Sequence, residues 1–202
     1  MPKNTLHTPL DEATVRSLHV GDVVTLTGHV FGMRDKTLIH MFDKHHEPPV
    51  NLEGYPVLHT APSLKKVGSR WKKIIIGTTT STRMNRFTAP LLQKYGVRAI
   101  IGKSGLYQDS LDAMSRFGGC YLAIVGGAAA LETTQIEEIE DMYWPELHPE
   151  AIYKFRVKDL GPLVVAMDSH GRSLYDEIRA EVQKNLPHVY QHLGIGETSL
   201  PG

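Results

Sequence analysis

Two short apolar runs in this chain end in glycine and are followed at once by polar side chains. Residues 74–76 lead through a glycine into a run of threonines that ends with Arg83, and residues 97–101 lead through a second glycine to Lys103. Apolar runs of this length, bounded by glycine, are typical of buried strands. In α/β folds the ligand crevice lies beyond the carboxyl ends of such strands, where hydroxyls, helix N-termini and cations bind carboxylates. The pattern therefore predicts an α/β fold with an anion site at one edge of its sheet.

The remaining patterns alternate between strand and helix. Strands are predicted at 22–30, 55–61, 72–76, 97–101, 120–125, 152–157 and 163–167, and helices at 9–18, 32–45, 88–95, 110–117, 133–141 and 173–186. The last two strands would form a hairpin. We predict a mixed α/β sandwich rather than a pure Rossmann fold. Residues 1–180 are expected to form a single domain, and residues 181–202 the end of the last helix and a flexible tail.

The composition restricts the classes of partner. Lys+Arg and Asp+Glu number 22 each, so no overall field favours nucleic acid or an anionic membrane. No apolar run approaches the length of a membrane span, and residues 1–5 lack the apolar core of a signal peptide. Cys120 is the only cysteine, which predicts no disulfide, a reducing cytoplasm and no iron–sulfur cluster or structural zinc held by this chain alone. We therefore expect neither a nucleic-acid nor a membrane partner.

Each candidate for the anion site also has an ordinary structural interpretation. The hydroxyls of residues 78–82 are typical N-cap residues, Lys103 matches a solvated lysine, and Arg34 with Asp35 matches a helix start with an N-terminal acid. The Gly-Lys-Ser sequence at 102–104 lacks the earlier glycine of a phosphate-binding loop, which argues against a nucleoside triphosphatase. All three clusters follow predicted strands and carry cations, and this agreement favours the anion site.

The eleven histidines do not form a convincing metal motif. His45 and His46 are adjacent and point in different directions on a helix, and His40 is five residues before His45, a poor match for one helix face. His170, in an Asp-Ser-His-Gly sequence, is compatible with acid–base chemistry, but a polar turn is the favoured interpretation. We assign no metal ligand to this chain.

Several ordered motifs make the chain similar to a known family. They are Gly21-Asp22-Val23-Val24, Gly32-Met33-Arg34-Asp35, Gly77-Thr78-Thr79-Thr80-Ser81-Thr82-Arg83-Met84, Ile101-Gly102-Lys103, Val125-Gly126-Gly127-Ala128-Ala129-Ala130-Leu131, Trp144-Pro145-Glu146-Leu147, Pro162-Leu163-Val164-Val165 and Asp168-Ser169-His170-Gly171-Arg172-Ser173-Leu174. In this order they resemble the β subunit of the iron–sulfur-dependent hydro-lyases, class I fumarate hydratase and L(+)-tartrate dehydratase, over about residues 20–178. In single-chain members the same sequence forms the C-terminal domain.

The resemblance implies a fold, a cofactor and a partner. The fold is a swivelling β/β/α three-layer sandwich with mixed sheets. The partner is an α subunit that supplies three cysteines for a [4Fe-4S] cluster, and the assembly is an α2β2 heterotetramer. With one cysteine of its own, this chain is expected to be catalytically incomplete alone. The implied reaction is the reversible hydration of fumarate to L-malate. Dehydration of L(+)-tartrate to oxaloacetate is the alternative, and a non-catalytic anion-binding module is a second one.

The resemblance also assigns roles to four residues. Arg34, Arg83 and Lys103 match the family's carboxylate-binding cations, which suit a dianionic dicarboxylate substrate. Thr79 matches the base that takes the C3 proton, while an open iron of the partner's cluster acts as Lewis acid. A threonine hydroxyl is a weak base that needs nearby cations. At position 78 this chain has threonine where the family usually has proline, which loosens the backbone but keeps the spacing from Thr79 to Arg83.

Overall fold

The computed structural model describes residues 4–68, 70–124, 127 and 129–195, which form a mixed α/β fold. The strands in these ranges are β1 (Asn4–His7), β2 (Val23–Met33), β3 (Pro56–His59), β4 (Ser63–Val67), β5 (Arg70–Ile75), β6 (Ala99–Gly102), β7 (Cys120–Ala123), β8 (Ile136–Tyr143) and β9 (Ile152–Met167). The α-helices are α1 (Glu12–Arg16), α2 (Asp35–Phe42), α3 (Thr88–Tyr95), α4 (Gln108–Phe117), α5 (Ala129–Gln135) and α6 (Leu174–Leu193), with short 3₁₀ helices at Ser81–Phe87 and Pro145–Leu147. The predicted helix at 88–95 therefore has the bounds of α3.

Five strands of the main sheet run parallel and bring their carboxyl ends to one edge. Their order is β1-β2-β3-β6-β7, and each neighbouring pair is parallel. Both faces of β3, β6 and β7 are covered, whereas β1 is largely exposed. In β6, Ala99 and Ile101 belong to one buried cluster and Ile100 to the other, as the alternation of side chains along a strand requires. Burial on both faces explains why the strands are continuous apolar runs in the sequence.

The long strand β9 closes the sheet. It pairs antiparallel with β2, β7 and β8, so that β2, β3, β6, β7 and β9 form a closed ring of paired strands. The predicted hairpin of two strands at 152–157 and 163–167 is therefore wrong. Both segments pair with β2, and between them Leu160 pairs with Leu26, with register shifts on either side of this pair. These irregularities let one strand continue through a segment where two strands were expected.

The apolar run at 74–76 does not belong to the main sheet. The strand β5 pairs with β4 in a separate two-stranded sheet. Ile74 and Ile75 are 59% and 44% exposed, whereas Ile76 is fully buried. The expectation of a buried strand is thus wrong for the first two isoleucines, because β-branched residues favour a strand whether or not it is covered.

The acidic segment at 133–141 is divided between a helix and a strand. The helix α5 ends at Gln135, and β8 begins at Ile136 and pairs antiparallel with β9. The predicted helix is therefore wrong beyond Gln135. Ile136 is fully buried, and Glu138 on the outer face pairs with Arg156 of β9 at 2.5 Å. Cross-strand ion pairs of this kind are typical of an exposed sheet face.

The helix α6 continues beyond its predicted end at residue 186 to Leu193. Ser173 caps its start by accepting a hydrogen bond from the Asp176 N–H, and none of its residues is buried. The predicted boundary at residue 180 falls inside α6, and the swivelling three-layer arrangement stays a prediction. The predicted tail at 196–202 lies outside the described residues, as do Val125, Gly126 and Ala128 of the predicted strand end and glycine-rich turn. No helix in the described ranges combines the length and apolar character needed to cross a membrane.

Candidate functional site

The three cationic motifs meet at the carboxyl edge of the parallel strands. Arg34 lies between β2 and α2, and Lys103 directly follows β6. The loop after β5 reaches the same edge, because the Thr79 N–H donates to the His59 carbonyl at 2.8 Å and the Ser81 N–H donates to the Lys103 carbonyl at 3.0 Å. This loop therefore lies across the ends of β3 and β6, although β5 itself is outside the main sheet.

Asp35 joins the two arginines. Its carboxylate accepts hydrogen bonds from Arg83 Nε at 3.2 Å and Nη2 at 3.0 Å, and from Arg34 Nε at 3.1 Å. Burial acts to raise the pKa of Asp35, but hydrogen bonding and charge from Arg83, with the charge of Arg34, hold it below its ordinary value. Glu150 Oε2 lies 3.5 Å from Arg34 Nε. Acids of the same chain thus hold both guanidinium groups in place at the strand edge, where their remaining N–H groups can donate to a carboxylate.

The Thr79 hydroxyl is in contact with one of these arginines. Arg83 Nη2 donates to Thr79 Oγ1 at 3.2 Å. The Arg83 side chain is 48% exposed and remains accessible to a ligand. A cation that donates to this oxygen stabilises negative charge on it, which is what a threonine needs in order to accept a proton.

Lys103 has a different environment from the two arginines. It is half-buried, and within the part of the chain that the structure describes its ammonium group has no hydrogen bond or ion pair with another side chain. Its charge acts on Glu132 of α5, which is 2% exposed and whose carboxyl oxygens have no hydrogen bond of normal geometry within the described part of the chain. Burial raises the pKa of Glu132 to about 7, against the smaller lowering effects of the Thr78 amide and Lys103. We call Lys103 and Glu132 the wall pair.

A second buried polar group lies under the loop and consists of His59, Ser81 and Tyr121, which we call the floor network. The Tyr121 hydroxyl donates to Ser81 Oγ at 3.0 Å and accepts from the Gly105 N–H at 3.3 Å. Ser81 Oγ also shares a 3.0 Å hydrogen bond with His59 Nδ1. Burial lowers the pKa of His59 to about 3 and raises the pKa of Tyr121, so both side chains are neutral near pH 7.

The chain does not fit the role of cluster ligand. Cys120 is 1% exposed in the core, and burial, with a smaller effect of the Asp168 charge, raises the pKa of its thiol to about 12. A thiol in this state does not supply the thiolate that iron–sulfur clusters require. No group of three metal-binding side chains is found among the described residues. Cys120 is therefore not placed to supply a thiolate ligand to the [4Fe-4S] cluster that the resemblance implies.

The other histidine motifs are structural. The rings of His40 and His46 stack with centroids 4.0 Å apart. The sequence around His170 forms a turn, as predicted, in which the Asp168 carboxylate accepts hydrogen bonds from the N–H groups of Val20, His170 and Arg172. This arrangement leaves the Asp168 carboxylate engaged in holding the turn.

The sequence prediction missed four residues of the site. Asp35 was interpreted as a helix-start acid, and Glu150, His59 and Glu132 were not singled out. The usable signal for Glu132 was its position as a lone acid directly after an apolar and glycine-rich stretch. The others come from distant segments, and no periodicity in the sequence relates them to the cations.

Comparison with known proteins confirms the family. The family model described as Fumarase C-terminus matches residues 3–178. The β subunit of L(+)-tartrate dehydratase from Escherichia coli K12 is 34% identical over 176 residues, which cover 87% of this chain and 88% of that protein. A Methanocaldococcus jannaschii protein provisionally given the same name is 36% identical over 182 residues, 88% of this chain and 93% of that protein. A Geobacillus stearothermophilus protein provisionally named a class I fumarate hydratase is 40% identical over 176 residues, 86% of this chain and 34% of that protein. The chain belongs to the fumarase C-terminus family.

Proposed function

We propose that this chain is the β subunit of an iron–sulfur-dependent hydro-lyase that interconverts fumarate and L-malate. The observation that carries the proposal is the contact of Thr79 Oγ1 with Arg83, which Asp35 ties to Arg34 at the strand edge next to Lys103. A hydroxyl held by a cation, beside further cations, is an arrangement suited to removing a proton next to a carboxylate.

Arg34, Arg83 and Lys103 bind the two carboxylates of the substrate. The arginines grip a carboxylate through paired N–H donors, and Lys103 supplies a point charge. Asp35 keeps both guanidinium groups in place before the substrate arrives, so that less side-chain entropy is lost on binding. The same cations stabilise the negative charge that develops when the proton leaves the substrate.

Thr79, as its alkoxide, accepts the C3 proton at Oγ1 and becomes the neutral hydroxyl. The Arg83 guanidinium lowers the cost of negative charge on this oxygen, because it already donates a hydrogen bond to it. The His59 carbonyl holds the Thr79 backbone through the N–H, which compensates for the absence of the family's proline at position 78. In the hydration direction the same hydroxyl returns the proton to C3.

A cysteine-bearing α subunit completes the enzyme, in an α2β2 assembly in the cytoplasm. The core position of Cys120 leaves the [4Fe-4S] cluster to the partner's three cysteines. The half-exposed Arg83 fits a site whose second wall comes from another chain.

L(+)-tartrate dehydratase is the second candidate, with oxaloacetate and water as products. It is favoured by the nearly full-length match to separate β subunits named for that activity in Escherichia coli and Methanocaldococcus jannaschii. L-Tartrate carries one hydroxyl group more than L-malate, so an assay with both acids decides between the two activities. A non-catalytic anion-binding module is the outcome if neither acid is turned over.

The test is to co-express the chain with its cysteine-bearing partner, purify the complex without oxygen, and follow fumarate formation from L-malate and oxaloacetate formation from L-tartrate. Thr79→Ala should lower kcat about 100-fold or more with a small change in KM, since a positioned general base contributes roughly that factor. Thr82→Ala, three residues along the same loop, is the matched control and should stay within about twofold of the wild type. Full turnover in Thr79→Ala contradicts the proposed base.

A further inference from the structure

Glu132 is an exception to the usual rule for buried polar groups. It is 2% exposed, and among the described residues neither carboxyl oxygen has a hydrogen bond of normal geometry, although the Thr78 amide lies near enough to lower the pKa of this carboxyl group. Buried carboxyl groups are normally hydrogen-bonded or paired, and an exception in a native fold calls for an explanation. Since the fold gains no stability from an acid in this position, its burial points to a role in the adjacent site.

The charged group that acts on Glu132 is Lys103, whose ammonium group has no ion pair within the described part of the chain. The helix that carries Glu132 packs against β5, β8 and β9. Other charged side chains on those elements are engaged with each other or with the backbone: Lys73 with the Thr133 and Ile136 carbonyls, Arg156 with Glu138, and Lys154 with Glu140. Charged side chains exposed to solvent there are Lys72, Glu137, Asp141, Lys158 and Asp159. Glu132 and Lys103 therefore interact through charge, without a direct ion pair, at the edge of the anion site.

The two protonation states of Glu132 leave different amounts of positive charge at this edge. With a pKa of about 7, the carboxyl group is present in both states near neutral pH. The floor histidine, with a pKa of about 3, and Asp35, with a lowered pKa, do not change their charge there. The ionised carboxylate attracts the Lys103 ammonium and repels an incoming dianion, whereas the protonated form does neither.

We propose that Glu132 is a positioning residue of the anion site, which controls how much of the Lys103 charge a bound dicarboxylate receives. The inference rests on the proposed function, in which Lys103 binds a substrate carboxylate. Binding of a dianion favours the protonated form of Glu132, so binding is coupled to uptake of one proton, and lower pH tightens binding by the same coupling.

The test measures binding of sulfate to the full-length chain by titration calorimetry at pH 6, 7 and 8. Sulfate stays a dianion throughout this range, so the pH dependence belongs to the protein. We expect the wild-type Kd to rise roughly tenfold from pH 6 to pH 8, the size of one charge interaction across several ångströms in a partly buried site. Buffers of different ionisation enthalpy should report proton uptake on binding. Glu132→Gln should bind equally at all three pH values.

Glu137→Gln, an exposed neighbour on β8, is the matched control and should keep the wild-type pH dependence. Glu132→Ala is a second variant that removes the carboxyl group, and circular dichroism checks the fold of each. The proposal is overturned if both Glu132 variants keep the wild-type dependence, or if wild-type sulfate binding is absent or equal at pH 6 and 8. Failure of the proposed function shows itself separately, as lack of malate and tartrate turnover in the assembled enzyme, and leaves the sulfate result unchanged.

Discussion

The floor network and the wall pair each place one buried titratable group beside the same strand edge. The two groups differ in the hydrogen bonds that their polar atoms make. His59 is 1% exposed and Glu132 is 2% exposed, so both are removed from water to the same extent. His59 Nδ1 shares a 3.0 Å hydrogen bond with Ser81 Oγ, while His59 Nε2 and both Glu132 oxygens have no hydrogen bond of normal geometry among the described residues. The fold thus satisfies one nitrogen of the floor histidine, whereas it leaves both oxygens of the wall acid to respond to what binds.

Burial favours the neutral form of both groups, but the consequences for stability have opposite signs. The pKa of His59 is lowered from 6.5 to about 3, so its folded state binds fewer protons than the unfolded state and stability is lost as pH falls. The pKa of Glu132 is raised from 4.5 to about 7, so stability is fully present below about pH 4.5 and is lost as pH rises through 7. Burial of His59 therefore costs little stability at neutral pH, whereas burial of Glu132 lowers the free energy of unfolding there.

The largest effect is expected from breaking the floor itself with Gly102→Ala. A Cβ at this position would lie 1.9 Å from Ser81 Oγ and 3.1 Å from the Tyr121 hydroxyl. We expect a loss of about 3 kcal/mol in the free energy of unfolding, measured in urea, because a packed interior does not yield to overpacking without cost. The double variant Gly102→Ala/Ser81→Ala removes the clashing oxygen and should recover part of the loss. No recovery would mean that the clash is not with the floor network.

A second experiment compares how much stability the wild type and the variant His59→Gln each lose in acid. His59→Gln removes the buried imidazole that must be protonated on unfolding in acid. The wild type should lose about 2.5 kcal/mol more than the variant between pH 7 and pH 4.5, from the shift of the His59 pKa. Urea unfolding at both pH values measures this difference. Exposed His188→Gln is the control and should follow the wild type. Parallel curves for His59→Gln and wild type would contradict a neutral, buried floor histidine.

The contribution of Glu132 to the free energy of unfolding should change with pH in the opposite direction and by a somewhat smaller amount. Glu132→Gln removes the buried acid and should gain about 2 kcal/mol relative to the wild type on going from pH 5 to pH 8, since the wild type loses stability over that range as Glu132 ionises. The measurement is again urea unfolding, with Glu137→Gln as control. A difference that stays constant with pH would show that Glu132 ionises as easily in the fold as in the unfolded chain.

The smallest effect is expected away from both floor and wall, on the exposed apolar face of α6. Val182 is 51% exposed, and Val182→Ala should change the free energy of unfolding of the chain by less than about 0.5 kcal/mol. Leu122→Ala in the fully buried strand β7 is the contrasting variant and should cost about 3 kcal/mol. A large loss in Val182→Ala would show that this face is covered when the chain is free in solution.

Local sequence patterns predicted those elements in which the same kind of burial extends over the whole element. The helix α3 and the strands β2, β3, β6 and β7 follow from apolar period and glycine boundaries, because both faces of those strands are buried. The segment around Ile136 was misassigned because an edge strand paired with β9 carries acids that also suit a helix face. Ile74 was misassigned because an apolar run does not tell whether another layer covers it.

The sequence by itself determined that cations follow strand ends, that one cysteine is too few for a cluster, and which family the motifs belong to. These are properties of residue type and short spacing. Only the tertiary structure decided that Asp35 joins Arg34 to Arg83, and that Glu132 is buried within reach of the Lys103 charge with no side-chain partner among the described residues. Both depend on chain crossings between distant segments. Burial, charge proximity and hence pKa are set there by the packing of whole elements, which no local pattern records.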